Sequence, residues 1–391
     1  MELKKCSKCT LPETYETIEF DGNGVCNICH QHEYKQESIN WEERKRKLDE
    51  VIEHYRGKYD YDCLVPFSGG KDSTFTLCYL MKEYGIKPLV IRFDHLFFRP
   101  KLEEYATKTF RTLGVDVLKF SPNWKVVKKL MMESLVRKGD FCWHCHTGIF
   151  SYPMHVAIKY NVPLIFWGEP GAEYTAYYDY KDTQLEMVDE KRFNRYVNLG
   201  ITAEDMYGMI NSKEDPVDLR DLAPFTYPPL KELKRIGYHS VCLGSYIPWD
   251  VKDNLKYTQQ FLPWWQGDDV EGMPKGLYSY EKIECFMQGV RDYIKYVKRG
   301  YGRVTQMTTL DIRNKRMSRD EAVALIRKYE GRKPRMLSVF LDYLGMTEDE
   351  FNEIVMKTAI PPYAHDFSQA ELADPIVDID VCYMEKKGVV Q

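Results

Sequence analysis

A glycine-rich turn between an apolar run and a helical run constrains this chain more than any other feature of its sequence. Residues 63–67 are apolar and predict a strand, residues 74–84 predict a helix, and the hexapeptide 68–73 (Ser-Gly-Gly-Lys-Asp-Ser) connects them. Two adjacent glycines let the backbone approach a ligand and point successive N–H groups into one concavity. The following helix adds positive potential at its N-terminus. The sequence therefore predicts an anion-binding turn at the end of a strand.

The same alternation of strand and helix continues along the chain. Further strands are predicted at 88–93, 115–120, 163–167 and 238–244, and helices at 101–113, 124–136 and 147–160. Strands that are apolar throughout predict a parallel sheet covered by helices on both faces, which is an α/β fold.

Three parts are expected. They are a cysteine-rich module at 1–35, an α/β domain at 36–254 with a polar, tyrosine-rich insertion at 168–229, and a helical C-terminal region at 255–391. In the last part, Ser318-x-x-Glu321 and Thr347-x-x-Glu350 have the capping-box pattern and predict two helix starts.

Charge and hydrophobicity limit the possible functions. The 391 residues include 55 basic and 59 acidic side chains, and this net charge of −4 makes a nucleic-acid partner unlikely. The longest apolar runs, such as 163–167, are far too short to cross a bilayer, so no membrane association is expected. The first residues lack the apolar stretch of a secretory signal. We therefore expect a cytoplasmic protein whose eleven cysteines are reduced.

Four cysteines near the N-terminus form two Cys-x-x-Cys pairs. Cys6 and Cys9 are separated from Cys26 and Cys29 by sixteen residues, a spacing typical of zinc ribbons. Four thiolates fill a tetrahedral Zn²⁺ shell and leave no open position, so the predicted zinc site is structural. The alternative is two unrelated thiol pairs.

Basic residues alternate with glycine and tyrosine at 295–303, and more follow at 311–316. Guanidinium groups bind phosphate bidentately. Arg299, Arg303, Arg313 and Arg316 are therefore candidate ligands for the diphosphate of a nucleotide-linked substrate or for released pyrophosphate. A solvated basic face is the other interpretation of the same charge run.

The turn at 68–73 is not a Walker A loop, because Asp72 follows Lys71 and Val65 stands where that loop needs glycine. It resembles the PP-loop pyrophosphatase signature Ser-Gly-Gly-x-Asp-Ser and matches all five fixed positions. The resemblance implies an adenine nucleotide alpha hydrolase-like domain that binds ATP and Mg²⁺ and releases AMP and pyrophosphate. It assigns Ser68, Gly69, Gly70, Lys71, Asp72, Ser73, Asp94, Gly168 and Glu169 to the nucleotide, with Lys71, Asp72 and Ser73 catalytic.

A third Cys-x-x-Cys pair, Cys142 with Cys145, is flanked by His144 and His146, and Cys242 follows 97 residues after Cys145. This arrangement is similar to that of PP-loop tRNA thiolation enzymes that hold an iron–sulfur cluster, so a 4Fe-4S cluster on Cys142, Cys145 and Cys242 is one interpretation. Core cysteines, histidines that contact substrate and a second zinc site are the others.

Motifs along nearly the whole chain resemble the N-acetyl sugar amidotransferase family (WbpG/PseA-like) of bacterial lipopolysaccharide, O-antigen and flagellin-glycan biosynthesis. Besides the cysteine pairs and the turn, they are residues 141–150, 243–250 and 298–303. The family implies an AMP-forming carbon–nitrogen ligase. ATP adenylylates the acetamido oxygen of a nucleotide sugar or nonulosonate precursor, and ammonia then displaces AMP to leave an acetamidino group.

The sequence has no glutaminase pattern, so the family also implies partner subunits that supply ammonia and are similar to those of imidazole glycerol phosphate synthase. The tyrosine-rich stretch 174–180 is a candidate lid that excludes water.

Two other functions fit part of the sequence. A PP-loop tRNA thiolase explains the zinc ribbon and the third cysteine pair, but the acidic balance and the lack of a dense basic run in 1–60 argue against it. A non-catalytic zinc-ribbon adaptor would bind nucleotide without turnover, and the intact Lys71-Asp72-Ser73 argues against that function.

Overall fold

A five-stranded parallel sheet lies at the centre of the computed structural model, which describes residues 3–168, 180 and 189–376. The strands are β1 (Cys63–Pro66), β2 (Pro88–Phe93), β3 (Asp116–Phe120), β4 (Leu164–Trp167) and β5 (His239–Cys242), in the order β3-β2-β1-β4-β5. All neighbouring pairs are parallel. The predicted α/β class and all five predicted strands are confirmed.

The central strands are apolar at nearly every position because both faces of the sheet are covered. In β1, Val65 belongs to the hydrophobic cluster on one face and Leu64 to the cluster on the other. In β2, Val90 lies on the same face as Val65 and Ile91 on the same face as Leu64. All four side chains are buried. Successive side chains of a strand point to opposite faces, so a sheet buried on both sides needs continuous apolar runs.

Helices cover the sheet and form most of the C-terminal region. They are α1 (Asn27–Glu37), α2 (Trp41–Tyr55), α3 (Lys71–Tyr84), α4 (Pro100–Leu113), α5 (Trp124–Lys138), α6 (Trp143–Tyr160), α7 (Glu190–Arg192), α8 (Ala203–Ile210), α9 (Leu230–Ile236), α10 (Val251–Phe261), α11 (Gln288–Arg299), α12 (Arg303–Arg313), α13 (Arg319–Tyr329), α14 (Met336–Leu344) and α15 (Glu348–Met356). A π-helix (Phe193–Val197) continues α7, and 3-10 turns lie at Leu219–Phe225, Leu243–Ser245 and Phe367–Gln369.

Two helix starts were predicted from capping boxes, and both are confirmed. The side chains of Ser318 and Glu321 satisfy each other's backbone N–H groups at the start of α13, and Thr347 and Glu350 do so at the start of α15. Helix α3 begins at Lys71, three residues before its predicted start, because Gly70 serves as the N-cap. The turn and the helix are therefore continuous.

The predicted part boundaries at 35/36 and 254/255 each fall inside a helix, α1 and α10 respectively. The cysteine-rich module consequently includes a helix that extends past residue 35. In the insertion expected at 168–229, only 168, 180 and 189–229 are among the described residues, so most of the candidate lid at 174–180 lies outside them. In the described ranges, no helix is both long and apolar enough to cross a bilayer.

The chain between α10 and α11 returns to the edge of the sheet near β2. Cys285 forms a β-bridge with Phe98, and the Phe286 N–H donates to the Phe97 carbonyl at 2.9 Å. Nearer to α10, the Tyr105 hydroxyl donates to the Gly267 carbonyl at 3.1 Å. These contacts fix residues 281–284 next to the glycine turn.

The N-terminal module docks on the turn between α11 and α12. Arg299 donates to the Thr14 carbonyl at 2.6 Å, and the Tyr301 hydroxyl donates to the Glu16 carboxylate at 2.7 Å. The rings of Tyr15 and Tyr301 pack with their centroids 5.2 Å apart. Tyr301 is 1% exposed and belongs to the same apolar cluster as the four N-terminal cysteines.

Candidate functional site

The turn after β1 is held by hydrogen bonds between its backbone and its two serines. The N–H groups of Gly69 and Gly70 donate to the hydroxyl oxygens of Ser73 and Ser68, each at 3.2 Å. Gly69 has φ +91°, in the left-handed region that favours glycine. A β-carbon there would also lie 3.1 Å from Leu102. Gly69 is thus needed for the conformation of this turn, in which both serine hydroxyls lie at the start of α3.

The buried Lys71 pairs with the half-buried Asp72 at the first turn of α3. Lys71 Nζ lies 2.6 Å from Asp72 Oδ2 and 2.8 Å from Glu281 Oε2, and Lys71 is 6% exposed. The second Asp72 oxygen, Oδ1, is buried and has no hydrogen-bond partner in the structure. Buried polar atoms are nearly always satisfied, so a bare carboxylate oxygen at this position indicates a ligand. A carboxylate oxygen is a donor that Mg²⁺ prefers, and Asp72 therefore fits that ion.

A cavity of about 370 Å³ opens beside the turn, at the carboxyl ends of β1, β2, β4 and β5. Open parallel sheets bind their ligands at this edge, and the volume is within the range of small-molecule sites. One side is polar and is formed by Ser68, Gly70, Lys71, Asp72 and Ser73. The other side is apolar and is lined by Phe93, Phe98, Ile149, Phe150, Pro153 and Trp167.

Gly168 lies where the sequence predicted it, at the end of β4 on the cavity wall. A β-carbon on Gly168 would lie 2.5 Å from the Thr76 hydroxyl, so glycine permits the close approach of β4 and α3. The neighbouring Trp167 ring stacks on Phe150 with centroids 4.7 Å apart. Glu169 lies outside the described residues.

Asp94, predicted to contact the nucleotide, is not among the cavity-lining residues. Its carboxylate accepts from the Leu96 N–H at 2.8 Å and from the Ser121 hydroxyl at 2.9 Å, and it pairs with Lys119 at 3.1 Å. Burial opposes ionisation, but these contacts lower the pKa of Asp94 below its ordinary value. The carboxylate therefore stabilises the loop after β2.

His95 is a cavity residue that sequence reasoning missed. Its Nδ1 accepts the Phe97 N–H at 3.4 Å, which leaves the proton on Nε2, and Nε2 is buried without a hydrogen-bond partner in the structure. Burial lowers the pKa of His95 to about 3, so the ring is neutral at physiological pH. The position at the end of a parallel strand was the only sequence signal for it. His95 thus offers an unpaired N–H donor at the cavity wall.

Lys282 and Glu284 also line the cavity and were not predicted. They lie far from the turn in sequence and belong to no motif. A β-carbon added to Gly70 would be 3.1 Å from a Glu284 carboxylate oxygen, so this segment packs directly against the turn.

The four arginines predicted to bind phosphate are engaged elsewhere, and none lines the cavity. Arg299 contacts the N-terminal module, and Arg303 pairs with Glu281 at 3.3 Å and with Asp292 at 3.1 Å. Arg316 pairs with Asp250 at 2.6 Å and Asp311 at 2.8 Å, and Arg313 is buried at the end of α12. The structure gives these side chains a role in holding elements together.

The third cysteine pair does not form a compact ligand group with Cys242. The Cys242 thiol lines the cavity and donates to the Gly168 carbonyl at 3.4 Å, whereas Cys142 and Cys145 are not lining residues. Cys285 interacts electrostatically with both cysteines of the pair. Burial raises the pKa of all three of these thiols above the ordinary value.

The N-terminal cysteines, in contrast, converge. The sulfur atoms of Cys6, Cys9, Cys26 and Cys29 all lie within 4.8 Å of one another, and all four residues are buried. Backbone N–H groups of Cys9 and Cys26 approach the Cys6 sulfur at 3.4 and 3.3 Å, as expected around a thiolate. Among the described residues, this is the one group of three or more Cys, His, Asp or Glu side chains with such spacing. The four thiols have the number and spacing that a tetrahedral metal ion requires.

A family model matches part of the C-terminal region of the chain. Residues 277–372 match the family model described as the C-terminal domain of WbpG-like LPS biosynthesis proteins. The match includes Lys282 and Glu284 of the cavity wall and covers about a quarter of the chain.

Two further similarities were found. An uncharacterized protein of Methanocaldococcus jannaschii is 26% identical over 146 residues, which are 36% of this chain and 50% of that protein, so the chain spans about half the length of this curated relative. The U34-tRNA thiolase NcsA from Methanococcus maripaludis with its [4Fe-4S] cluster aligns over 100% of both chains with 15% identity and a TM-score of 0.32.

Substitution of Cys6 tests the metal site. Cys6→Ser should release the metal and destabilise the N-terminal module, because the module's small apolar cluster is built around the four thiols. Metal content by mass spectrometry and thermal unfolding are the measurements. Cys63→Ser, a buried β1 thiol outside the group, is the control and should keep a full metal complement. Full metal content in Cys6→Ser would reject the site.

The buried Glu281 predicts a dependence of stability on pH. Although burial opposes ionisation, Lys71 and Arg303 lower the pKa of Glu281 from 4.5 to about 2. Because the folded-state pKa is below the unfolded one, this stabilisation is present above pH 4.5 and is lost as the pH falls towards 2.

Glu281→Gln should therefore lower the free energy of unfolding by about 3–5 kcal/mol at pH 7, and the difference from the unmodified chain should shrink as the pH falls below 4.5. Denaturant unfolding at several pH values measures this. Glu53→Gln, which removes an exposed pair with Arg56, should cost at most about 1 kcal/mol. A Glu281→Gln difference that is independent of pH would contradict the ion-pair interpretation.

Proposed function

We propose that this chain is an ATP-dependent, AMP-forming amidotransferase that converts an acetamido group of a sugar substrate into an acetamidino group in bacterial surface-glycan biosynthesis. The observation that carries the proposal is that two kinds of residue line one cavity. The turn with the PP-loop signature forms one wall, and residues of the segment that matches the WbpG-like model form another.

The shape of the cavity suits a nucleotide with its phosphates at the turn. The loop backbone, the serine hydroxyls and the start of α3 provide a polar, electropositive end. Phe150 and Trp167 give a flat aromatic surface on the other side, of the kind on which a base or sugar ring packs. The outer two phosphates would lie at the turn, which leaves the α-phosphate facing the cavity.

The chemistry overcomes the low reactivity of an amide. The acetamido oxygen attacks the α-phosphorus, the bond to the bridging oxygen of the β-phosphate breaks, and pyrophosphate leaves with the bonding electrons. The product is an O-adenylyl imidate. Ammonia then attacks the imidate carbon, the carbon–oxygen bond breaks, AMP departs, and loss of a proton leaves the amidine. The two steps consume ATP and ammonia and release AMP and pyrophosphate.

The residues of the site stabilise charge and exclude water. The loop N–H groups and the start of α3 would stabilise the negative charge that develops on the phosphates. Asp72 would hold Mg²⁺ through its unpaired oxygen, and the ion would neutralise phosphate charge. The apolar wall keeps water from the imidate, which water would return to the amide. His95 offers its N–H to an acceptor on the bound ligand.

A bound zinc ion and partner subunits that supply ammonia complete the proposed enzyme. Four buried thiols in one compact group fit Zn²⁺, which would stabilise the N-terminal module without taking part in the reaction. Ammonia would be delivered by separate subunits similar to those of imidazole glycerol phosphate synthase, as the resemblance to the amidotransferases implies.

The proposal is tested by product analysis. Purified protein is incubated with ATP, Mg²⁺, ammonium and a panel of acetamido sugars, and mass spectrometry scores the replacement of the acetamide oxygen by NH. Formation of AMP and pyrophosphate together with an amidine is expected. Release of ADP and orthophosphate would contradict the assignment of the turn, and AMP without an amidine on any sugar would contradict the substrate class.

Asp72→Asn should lower the rate of AMP formation by about 100-fold or more, because the amide is a far weaker ligand for a cation than the carboxylate. Asp253→Asn is a matched control, since Asp253 also lies in the first turn of a helix but is exposed. It should leave the rate unchanged. Circular dichroism confirms that both variants are folded, and an active Asp72→Asn variant would remove that carboxylate from the mechanism.

A further inference from the structure

Glu284 places a second carboxylate beside the glycine turn. The residue lies between α10 and α11, is half-buried and lines the cavity. A β-carbon added to Gly70 would lie 3.1 Å from a Glu284 carboxylate oxygen and 3.4 Å from the Ser68 hydroxyl. The carboxylate is therefore next to the turn, at the polar end of the cavity where the phosphates of a nucleotide would lie.

The backbone around Glu284 is held on both sides. Three residues earlier, Glu281 pairs with the buried Lys71 at 2.8 Å. The next residue, Cys285, forms a β-bridge with Phe98. A buried ion pair and a backbone bridge so close together fix the position from which the Glu284 side chain reaches the turn.

The cavity wall has carboxylate oxygens without protein partners. Within the described part of the chain, the Glu284 carboxylate takes part in no hydrogen bond and no ion pair. Asp72 Oδ2 pairs with Lys71 at 2.6 Å, but Asp72 Oδ1 is buried and has no hydrogen-bond partner in the structure. Carboxylates at an anion-binding turn would repel the bound anion unless a cation lay between them.

The charges of the cavity wall do not supply that cation. The described lining residues with a charge are two lysines and two carboxylates, namely Lys71, Lys282, Asp72 and Glu284. Both lysines also interact with the buried Glu281, behind the wall. Negative charges thus equal or outnumber positive ones before any ligand binds. A nucleoside triphosphate adds several more, so its binding requires a further cation.

His95 independently indicates a ligand in this cavity. The residue is 3% exposed, lines the cavity and has a buried Nε2 without a hydrogen-bond partner in the structure. Buried N–H groups are nearly always paired, so a ligand with an acceptor atom is expected beside it. Burial lowers the pKa of His95 to about 3, so the ring can donate a hydrogen bond but supplies no positive charge.

We propose that Glu284 and Asp72 together hold the divalent cation that accompanies the nucleotide. The segment that matches the WbpG-like model would then supply one carboxylate of the Mg²⁺ site and the turn the other. Mg²⁺ prefers oxygen ligands and is commonly bound by one or two carboxylates together with substrate phosphates. The inference rests on the proposed function only in requiring a nucleotide in the cavity, and ammonia transfer plays no part in it.

Glu284→Gln tests the inference, because it keeps the size of the side chain and removes its charge. Calorimetry measures the affinity for α,β-methylene-ATP, which cannot be cleaved between its α- and β-phosphates, with Mg²⁺ and without any divalent cation added. With Mg²⁺, the variant should bind the analogue about 10-fold or more weakly than the unmodified chain. Without the cation, it should bind at least as tightly, because a negative charge beside the phosphates has been removed.

Glu133→Gln is the matched control. Glu133 is half-buried like Glu284, but it lies on α5 and is not a cavity-lining residue. Its replacement should leave the affinity for the analogue unchanged in both conditions. Adenosine, which has no phosphates, should bind equally to the unmodified chain and to both variants if the cavity is intact.

The inference is overturned if Mg²⁺ tightens binding of the analogue by the same factor in Glu284→Gln as in the unmodified chain. A loss of adenosine affinity in that case would assign Glu284 to the packing of the cavity, and unchanged adenosine affinity would assign it to the nucleotide itself or to neither ligand. No binding of the analogue by the unmodified chain would refute both this inference and the proposed function.

The two proposals can also fail separately, because binding is measured without turnover. A chain in which Glu284 is needed for the effect of Mg²⁺ but which forms no amidine would refute the proposed function and leave this inference standing. Amidine formation with an effect of Mg²⁺ that is independent of Glu284 would do the reverse.

Discussion

The buried carboxylate of Glu281 is the interaction on which the architecture of the site depends. It joins Lys71 at the start of α3 to Arg303 at the start of α12. Placing three charges where almost no water reaches is costly unless each has a partner at hydrogen-bonding distance. The requirement is met by adding Asp72 on one side and Asp292 on the other. The cavity therefore forms only when the α/β part and the C-terminal helices are assembled together.

The same network extends to the N-terminal module. Arg303 begins the helix that follows Tyr301, and Tyr301 packs within the apolar cluster of the four cysteines. Arg299, four residues earlier, pairs with Glu16 of the module at 3.3 Å. A metal bound to the four thiols would consequently stabilise the surface that supports Arg303. The module is therefore connected to the cavity through the packing of Tyr301 and through the ion pairs of Arg299 and Arg303.

The arginines at 299–316 show why residue type and spacing leave more than one role open. Glycine and tyrosine between basic residues are compatible with phosphate binding, and the same composition suits a tight helix–helix turn that packs against another module. The outcome depends on the carboxylates that fold onto the arginines. Asp250, Asp292 and Glu281 come from three different segments. Lys282 was missed for the complementary reason, because a single lysine in an irregular segment carries no periodicity.

The sequence alone determined the elements that depend on local patterns. These are the five parallel strands with their helices, the two capping boxes and the glycine turn, and the grouping of two Cys-x-x-Cys pairs followed from spacing within thirty residues.

Only the tertiary structure decided which remote side chains complete the cavity. It placed His95, Lys282 and Glu284 on the wall and kept Asp94 and the four arginines off it. It also separated Cys242 from the cysteine pair with which spacing had grouped it. The physical reason is that strands and helices follow from short-range periodicity. The partner of a buried charge, in contrast, is determined by packing between segments that lie as far apart as residues 71 and 281.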